Sequence, residues 1–473
     1  MTMSEVGTAS GTESSVLELL LHPRSIAMIG ASTNPEALGG RPIGFLASYG
    51  YEGRVYPVNS KSSVVQGVPA HASILDVPEP VDVALVAVPA KAVAGVLDEC
   101  ARAGVGVAVV MSSGFGEGMG GGAELAAEIE EVRARTGLRI LGPNCEGLAS
   151  LPDNAPMTFS PVLDIRRTGN RLEPGKVAVV SQSGGLGFAI AQWGVDVGLG
   201  FSYIISTGNE LDIDAVALAG QLVEEPEVDT VVLLVEGFRD MERFPEVGAR
   251  FQELGKEIVV AKLGASEAGA RGALAHTGHV VGDMAEYVEL FERYGVHRAR
   301  DEEELVDILQ AVARKKRAKG RRLGIMTTSG GTGVWLADAC TAVGFEIPVL
   351  SAETQEKLKQ HMPHYGSPQN PVDLTAQFIA GGAFTPAIET LMGSGEVDAI
   401  ILATSLSSSG RLEGDKEALA ELTARSDIPL VVYSYTRPAV SCVEILTDLE
   451  LPHYTSSVRA ARGLAAITRE TNR

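Results

Sequence analysis

Lys176-Val-Ala-Val-Val-Ser-Gln-Ser-Gly-Gly-Leu-Gly187 and Leu323-Gly-Ile-Met-Thr-Thr-Ser-Gly-Gly-Thr-Gly333 are two versions of one pattern. In each, a short apolar run ends in hydroxyl residues and paired glycines. The run has the length of a buried strand. The glycines let the chain turn tightly into a helix whose first N–H groups remain free. Similar apolar runs recur along the chain: Ser25-Ile-Ala-Met-Ile-Gly30, Val83-Ala-Leu-Val-Ala-Val-Pro89, Val105-Gly-Val-Ala-Val-Val-Met111, Thr230-Val-Val-Leu-Leu-Val-Glu236, Ile258-Val-Val-Ala-Lys262, Ala399-Ile-Ile-Leu-Ala403 and Leu430-Val-Val-Tyr433. Amphipathic stretches such as 90–103, 122–136 and 283–294 lie between them. The alternation predicts an α/β fold of doubly wound parallel sheets.

Two polar stretches suggest boundaries: the Pro-bearing segment 159–175 and Ala313-Arg-Lys-Lys-Arg-Ala-Lys-Gly-Arg-Arg322, read as a solvated linker. Three domains are therefore expected, at 16–150, 170–312 and 322–470. The second and third open alike, as an internal repeat does. A net charge of −21 argues against nonspecific nucleic-acid binding and against docking on anionic membranes. No run is long and apolar enough to span a bilayer, and the polar N-terminus has no signal-peptide pattern. Cys100, Cys145, Cys340 and Cys442 are far apart with no CxxC spacing, which suits a reducing, cytoplasmic location. No metal-ligating set is assigned.

Gly30-Ala-Ser-Thr-Asn-Pro-Glu-Ala-Leu-Gly-Gly40 follows the first strand and can present backbone N–H groups to a phosphate. It is not a dinucleotide fingerprint, because Ala31 and Ser32 stand where GxGxxG needs x-Gly. The second strand, Arg54-Val-Tyr-Pro-Val-Asn59, ends without the acid that would bind a ribose and leads to Lys61. A nicotinamide-dependent oxidoreductase is thereby disfavoured. Taken in order, the first turn, Tyr-Pro-Val-Asn59, Val88-Pro89, Ser112-Ser113-Gly114-Phe-Gly and Gly142-Pro-Asn-Cys-Glu-Gly147 resemble the CoA-binding domain of NDP-forming acyl-CoA synthetases, relatives of the succinyl-CoA synthetase α subunit. The resemblance implies a Rossmann-like domain with coenzyme A across its C-terminal sheet edge, near Gly30, Ala31, Ser32, Lys61, Val88, Pro89, Ser112, Ser113, Gly114 and Asn144. Lys61 would meet the CoA phosphates. Cys145 has no evident partner base and is read as a small buried thiol.

In the second domain, Ser181, Ser183 and Gly184 form a turn suited to an anion, and Glu236 closes a strand ahead of Gly237. His276 lies in Arg271-Gly-Ala-Leu-Ala-His-Thr-Gly-His279, read as a loop of small residues that can approach a phosphate closely. By the same resemblance, His276 is the phosphorylated histidine, Glu236 its orienting carboxylate, and Ser181, Ser183 and Gly184 hold the phosphate. His279 departs from the family, which carries a small residue there, and His297 has no comparable support.

The third domain resembles a further ligase-CoA domain. Its Gly-rich turn is expected to support the phosphate site as a structural partner, or to serve for docking alone. The resemblance thus covers nearly the whole chain: a Rossmann-like CoA-binding domain followed by two flavodoxin-like, succinyl-CoA-ligase-like domains. It implies an acid–CoA ligase α-type subunit that interconverts acyl-CoA plus phosphate and carboxylate plus CoA through acyl phosphate and phosphohistidine. No stretch has the size of an ATP-grasp region, so ATP/ADP exchange with Mg2+ is expected on a separate ATP-grasp β-type subunit, with homo- or hetero-oligomers. The small carboxylic acid is not specified. The alternative is a CoA- or acyl-CoA-binding protein without ligase turnover.

Overall fold

Every residue of Ser25–Ile29 (β1) is buried, because the strand is paired on both sides and packed on both faces. The computed structural model describes residues 17–116, 121–277, 282–376 and 384–468, and of 274–277 the backbone alone. The chain leaves β1 for Arg54–Val58 (β2) and a small hairpin, Val64–Val65 (β3) with Val68–Pro69 (β4). It then returns past β1 to Val83–Val86 (β5), Val107–Val110 (β6) and Arg139–Leu141 (β7), giving a parallel sheet of order β2-β1-β5-β6-β7. Side chains alternate between faces, as strand geometry requires. Ile26, Met28, Val83 and Leu85 enter one core, and Ala27, Ile29, Ala84 and Val86 the other.

The next two strands, Gly147–Ser150 (β8) and Ala155–Thr158 (β9), form a hairpin that joins the second sheet, Leu148 pairing antiparallel with Ile205. Residues 147–150, expected inside the first domain, therefore belong to the second sheet. The other members are Pro174–Ser181 (β10), Phe201–Ser206 (β11), Thr230–Val235 (β12), Glu257–Lys262 (β13) and His297–Ala299 (β14), in order β14-β13-β12-β10-β11-β8-β9. The two sheets share a core in which Ile26 and Met28 join Ala178, Val180, Val231 and Leu233.

A backbone ladder fastens their edges together. Ile213 N–H donates to Ile140 O (3.2 Å), Leu211 N–H to Gly142 O (2.9 Å) and Asn209 N–H to Pro143 O (2.9 Å). Arg139 pairs with Asp212 at 2.8 Å alongside. At Gly208, φ is +58°, and a Cβ would stand 2.4 Å from Pro143 O and 2.7 Å from Asn144 O, so only glycine fits.

Packing divides the chain into two units. One runs to Gln192 and from Gly200 to Arg298; the other takes Trp193–Leu199 and continues from Ala299. The first two expected domains thus fall in one unit, and the helix Glu302–Val312 packs with the other. The cause is a buried polar anchor. Asp307 is fully buried, its carboxylate 2.8 Å from Arg459, and its carbonyl accepts the Tyr454 hydroxyl at 2.9 Å. The sheet of this unit comprises Leu323–Thr327 (β15), Val372–Asp373 (β16), Ala399–Thr404 (β17), Leu430–Ser434 (β18) and His453–Tyr454 (β19), ordered β16-β15-β17-β18-β19. Apart from its hairpins, each of the three sheets has its second strand outside the first and the next three on the other side. The basic run 313–322 is not a free linker. Lys316 donates to the carbonyls of Thr423 and Ser426, and burial lowers the affinity of Arg314 for its proton.

The buried polar groups can be tested directly. Asp307→Ala leaves Arg459 without its buried carboxylate partner and is expected to cost about 3 kcal/mol in denaturant unfolding; a loss under about 1 kcal/mol would show that Asp307 is no anchor. His22 lies 2.7 Å from Asp153 of the β8–β9 turn and 3.3 Å from Glu225 of the second sheet's connections. Burial opposes its charge, but the hydrogen bonds and charges of Asp153 and Glu225 outweigh it and raise its pKa above 6.5. Its contribution is then full below the unfolded value and is lost as pH rises through the folded one. The ring is part exposed, so the effect is about 1 kcal/mol or less. Comparing denaturant midpoints at about pH 6 and about pH 9 should show a drop in the wild type that His22→Gln lacks.

Candidate functional site

The C-terminal ends of β1, β2, β5, β6 and β7 bring together the residues expected at the CoA edge. At Gly30, φ is +85° and a Cβ would lie 2.2 Å from Ala87 O, so the turn after β1 presses against the end of β5. The N–H groups of Gly30 and Ala31 are held by Val58 O (3.2 Å each). This is the switch point of the strand order, where open α/β sheets bind ligands. Asn59 joins the two turns: its Nδ2 donates to Ala31 O at 2.7 Å, and its Oδ1 accepts the N–H of Lys61 at 2.7 Å and of Ser62 at 3.0 Å. The Lys61 side chain is exposed, as are Ser113 and Asn144, while Ser32 and Gly114 are half-buried. Ser112 is buried, and its hydroxyl holds the chain beside Pro89, donating to Val88 O at 2.6 Å and accepting Val88 N–H at 3.2 Å. Asn144 N–H donates to Ser112 O at 2.9 Å. Asn59 was not picked from the sequence as the organiser of this edge, although an Asx turn after a strand is its usual signal. Burial pushes the Cys145 thiol up to about 12, and Cys100, Cys340 and Cys442 are likewise buried free thiols.

In the second sheet, Ser181 ends β10 and its hydroxyl donates to Ser183 O at 2.5 Å, closing the turn into the helix Gly184–Val195. A Cβ on Gly187 would lie 2.8 Å from that of Ser181, so helix and strand touch through glycine. The third sheet repeats this in detail: Thr327 Oγ1 donates to Ser329 O at 2.9 Å, and a Cβ on Gly333 would lie 3.0 Å from Thr327 Cγ2. Ser181 pairs with Leu234 and Thr327 with Ala403, so Glu236 corresponds in register to Ser405. Only the second copy has a carboxylate there.

Glu236 follows β12 and is buried. Gln182, between the two serines, accepts the Glu236 N–H on its Oε1 at 2.6 Å. Burial lowers the Lys262 amine to about 8, against the charge of Glu236. Lys262 Nζ donates to Leu263 O at 2.9 Å and stands 4.9 Å over the Tyr287 ring, while the Tyr287 hydroxyl accepts Phe238 N–H at 2.8 Å. Glu210, fully buried, is raised to about 7 by burial, opposed by hydrogen bonds from Thr207 and Gln182. Glu146 is a further buried carboxyl, raised by burial, with Oε2 3.2 Å from where Gly184 would carry a Cβ. Sequence reasoning passed over Gln182, Glu210, Lys262 and Glu146; the visible signal was Gln-Ser and Cys-Glu-Gly inside motifs already singled out for their neighbours.

His276 is in the last turn of the helix Glu267–Thr277. The expected small-residue loop is thus helical at this position, because Ala, Arg and Leu favour helix and Ser266 caps its start by accepting Gly269 N–H at 3.1 Å. The His276 side chain and all of His279 lie outside the described residues. His297 is occupied elsewhere, 2.9 Å from Glu257. Among the described residues no helix is long and apolar enough to cross a membrane.

Comparison with known proteins accounts for nearly all of the chain. A CoA binding domain model matches residues 24–150, a succinyl-CoA ligase like flavodoxin domain model 174–312, and a ligase-CoA domain model 323–437. The chain is 34% identical over 465 residues to acetate–CoA ligase (ADP-forming) I subunit alpha of Pyrococcus furiosus, covering 95% of this chain and 97% of that protein. It is 29% identical over 456 residues to 4-hydroxybutyrate–CoA ligase (ADP-forming) of Nitrosopumilus maritimus, covering 95% of this chain and 64% of that protein. Among solved structures it resembles the dinucleotide forming acetyl-coenzyme A synthetase 1 of Ca. Korarchaeum cryptofilum in complex with phosphate and ADP, at TM-score 0.84 and 31% identity, covering 95% and 96% of the two chains. With three domain types in the same order and this coverage at both ends of the comparison, the chain belongs to the ADP-forming acyl-CoA synthetases, as an α-type subunit of the succinyl-CoA synthetase superfamily.

Proposed function

We propose that this subunit interconverts acyl-CoA plus phosphate and carboxylate plus CoA through a phosphohistidine at His276. A phosphate oxygen attacks the thioester carbonyl and expels the CoA thiolate, leaving an acyl phosphate. Nε2 of a neutral His276 then attacks phosphorus, the P–O bond to the acyl group breaks, and the carboxylate departs. Glu236 accepts the Nδ1–H, which fixes the tautomer and offsets the charge that develops on the ring. Ser181, Ser183 and Gly184 hold the phosphoryl oxygens. The phosphoryl group passes to ADP, with Mg2+, on an ATP-grasp β-type partner, which restores the free imidazole. Coenzyme A lies along the edge formed by Gly30 to Ser32, Lys61, Val88-Pro89, Ser112 to Gly114 and Asn144. The names of the relatives support a small carboxylic acid as the acyl donor.

The observation that carries this reading is the shared support of phosphate turn and carboxylate: Gln182, inside the turn, binds the backbone of Glu236. Incubation with acyl-CoA and 32P-phosphate is expected to leave acid-labile, base-stable label on the chain, and His276→Ala to reduce it to background. Label of equal amount on the variant would sink the proposal. Separately, Lys61→Ala should weaken CoA binding about tenfold, ~1.4 kcal/mol by calorimetry, without changing thermal stability, because the side chain is exposed. Unchanged affinity would take Lys61 out of the CoA edge.

A further inference from the structure

Gln182 and Glu210 between them hold the strand end that carries Glu236. Gln182 is buried in the phosphate-type turn. Its Oε1 accepts the N–H of Glu236 at 2.6 Å and of Gly237 at 3.4 Å. Its Nε2 donates to Gly237 O and to Glu210 Oε2, each at 2.8 Å. Backbone N–H groups can only donate, so the amide has one satisfactory orientation. The other oxygen of Glu210, Oε1, accepts the Thr207 hydroxyl at 2.7 Å and Ala215 N–H at 3.0 Å. Every bond to the Glu210 carboxylate is thus donated to it. Of the charged neighbours, Asp214 works against the Glu210 charge, and Arg239 donates to the Glu210 carbonyl rather than to its carboxylate.

We infer that Gln182 and Glu210 are positioning residues for Glu236 during phosphoryl transfer at His276, an inference that rests on the phosphohistidine reading. Neither touches the reacting atoms. Their role is to fix the Glu236 backbone against the phosphate turn, so that carboxylate, imidazole and phosphorus stay aligned when the ring takes up charge. The donor–acceptor pattern makes the pair specific. In Glu210→Gln, one face of the new amide must present N–H to Gln182 Nε2 or to Ala215 N–H, donor against donor. Gln182→Met removes the same support from the other side: it keeps the volume and loses all four hydrogen bonds.

The test is the single-turnover labelling rate with acetyl, butyryl and benzoyl 32P-phosphate on the full chain, with thermal melting as the fold control. Glu210→Gln is expected to slow labelling at least tenfold, with the half-saturating acyl phosphate concentration unchanged. Gln182→Met is expected to slow it to a similar extent, again with the half-saturating concentration unchanged. A wild-type rate in Glu210→Gln, or in a Gln182→Met variant that melts normally, overturns the assignment. If one of the two variants does not melt as a folded protein, the other decides, because each removes the support independently. Label on wild type, none on His276→Ala and unaffected Gln182 and Glu210 variants would refute the positioning role alone. No label on wild type would refute both readings.

Discussion

The backbone ladder between residues 140–143 and 209–213 is the constraint on which the first unit depends. Two sheets meet there at their C-terminal edges, and the loop Gly142-Pro-Asn-Cys-Glu-Gly147 is trapped between them. On one side that loop faces the turns of the first sheet through Asn144. On the other, Glu146 N–H donates to Ser206 Oγ at 3.0 Å, and its side chain stands at the start of the helix Gly184–Val195. The edge that carries Gly30 and Ser112 and the turn that closes β10 are therefore brought close by main-chain hydrogen bonds, which no surface mutation can readily loosen. The requirement is strict at Gly208, where any side chain would strike two carbonyls.

Strands buried on both faces were readable from the sequence because their signal is local: β1, β5, β6, β10, β12, β13, β15, β17 and β18 all announce themselves as apolar runs. Phe201–Ser206 did not, since serines interrupt it; Ser202 is nonetheless buried, its hydroxyl satisfied by Val177 O at 3.2 Å. Packing that depends on distant partners has no such local signal. The β8–β9 hairpin has no mark of the sheet it joins, and Glu302–Val312 is assigned to its unit by Arg459 and Tyr454, some 150 positions away. The basic run 313–322 reads as solvated by composition, yet Lys316 finds two carbonyls a hundred residues on.

The candidate site was legible in outline for a similar reason. Serine, glycine and histidine motifs are short and contiguous, whereas their supports are not. Gln182 carries no mark of its own beside two serines, and nothing local in Gly208-Asn-Glu-Leu211 signals the burial and three donors that give Glu210 its place. Helical propensity around His276 was overridden in the reading by attention to its small neighbours, though alanine is the strongest helix former of all.

The third sheet reproduces the second down to the hydroxyl that closes its turn, but holds Thr328 and Ser405 where the second holds Gln182 and Glu236. The repeat has kept the scaffold without keeping the carboxylate. One copy is bound by the Gln182 network to a narrow choice of residues, while its twin is free to drift so long as the strand, the turn and the glycine contact survive. Sequence variation among relatives should accordingly be unequal at these paired positions, tight around 182 and 236 and broad around 328 and 405.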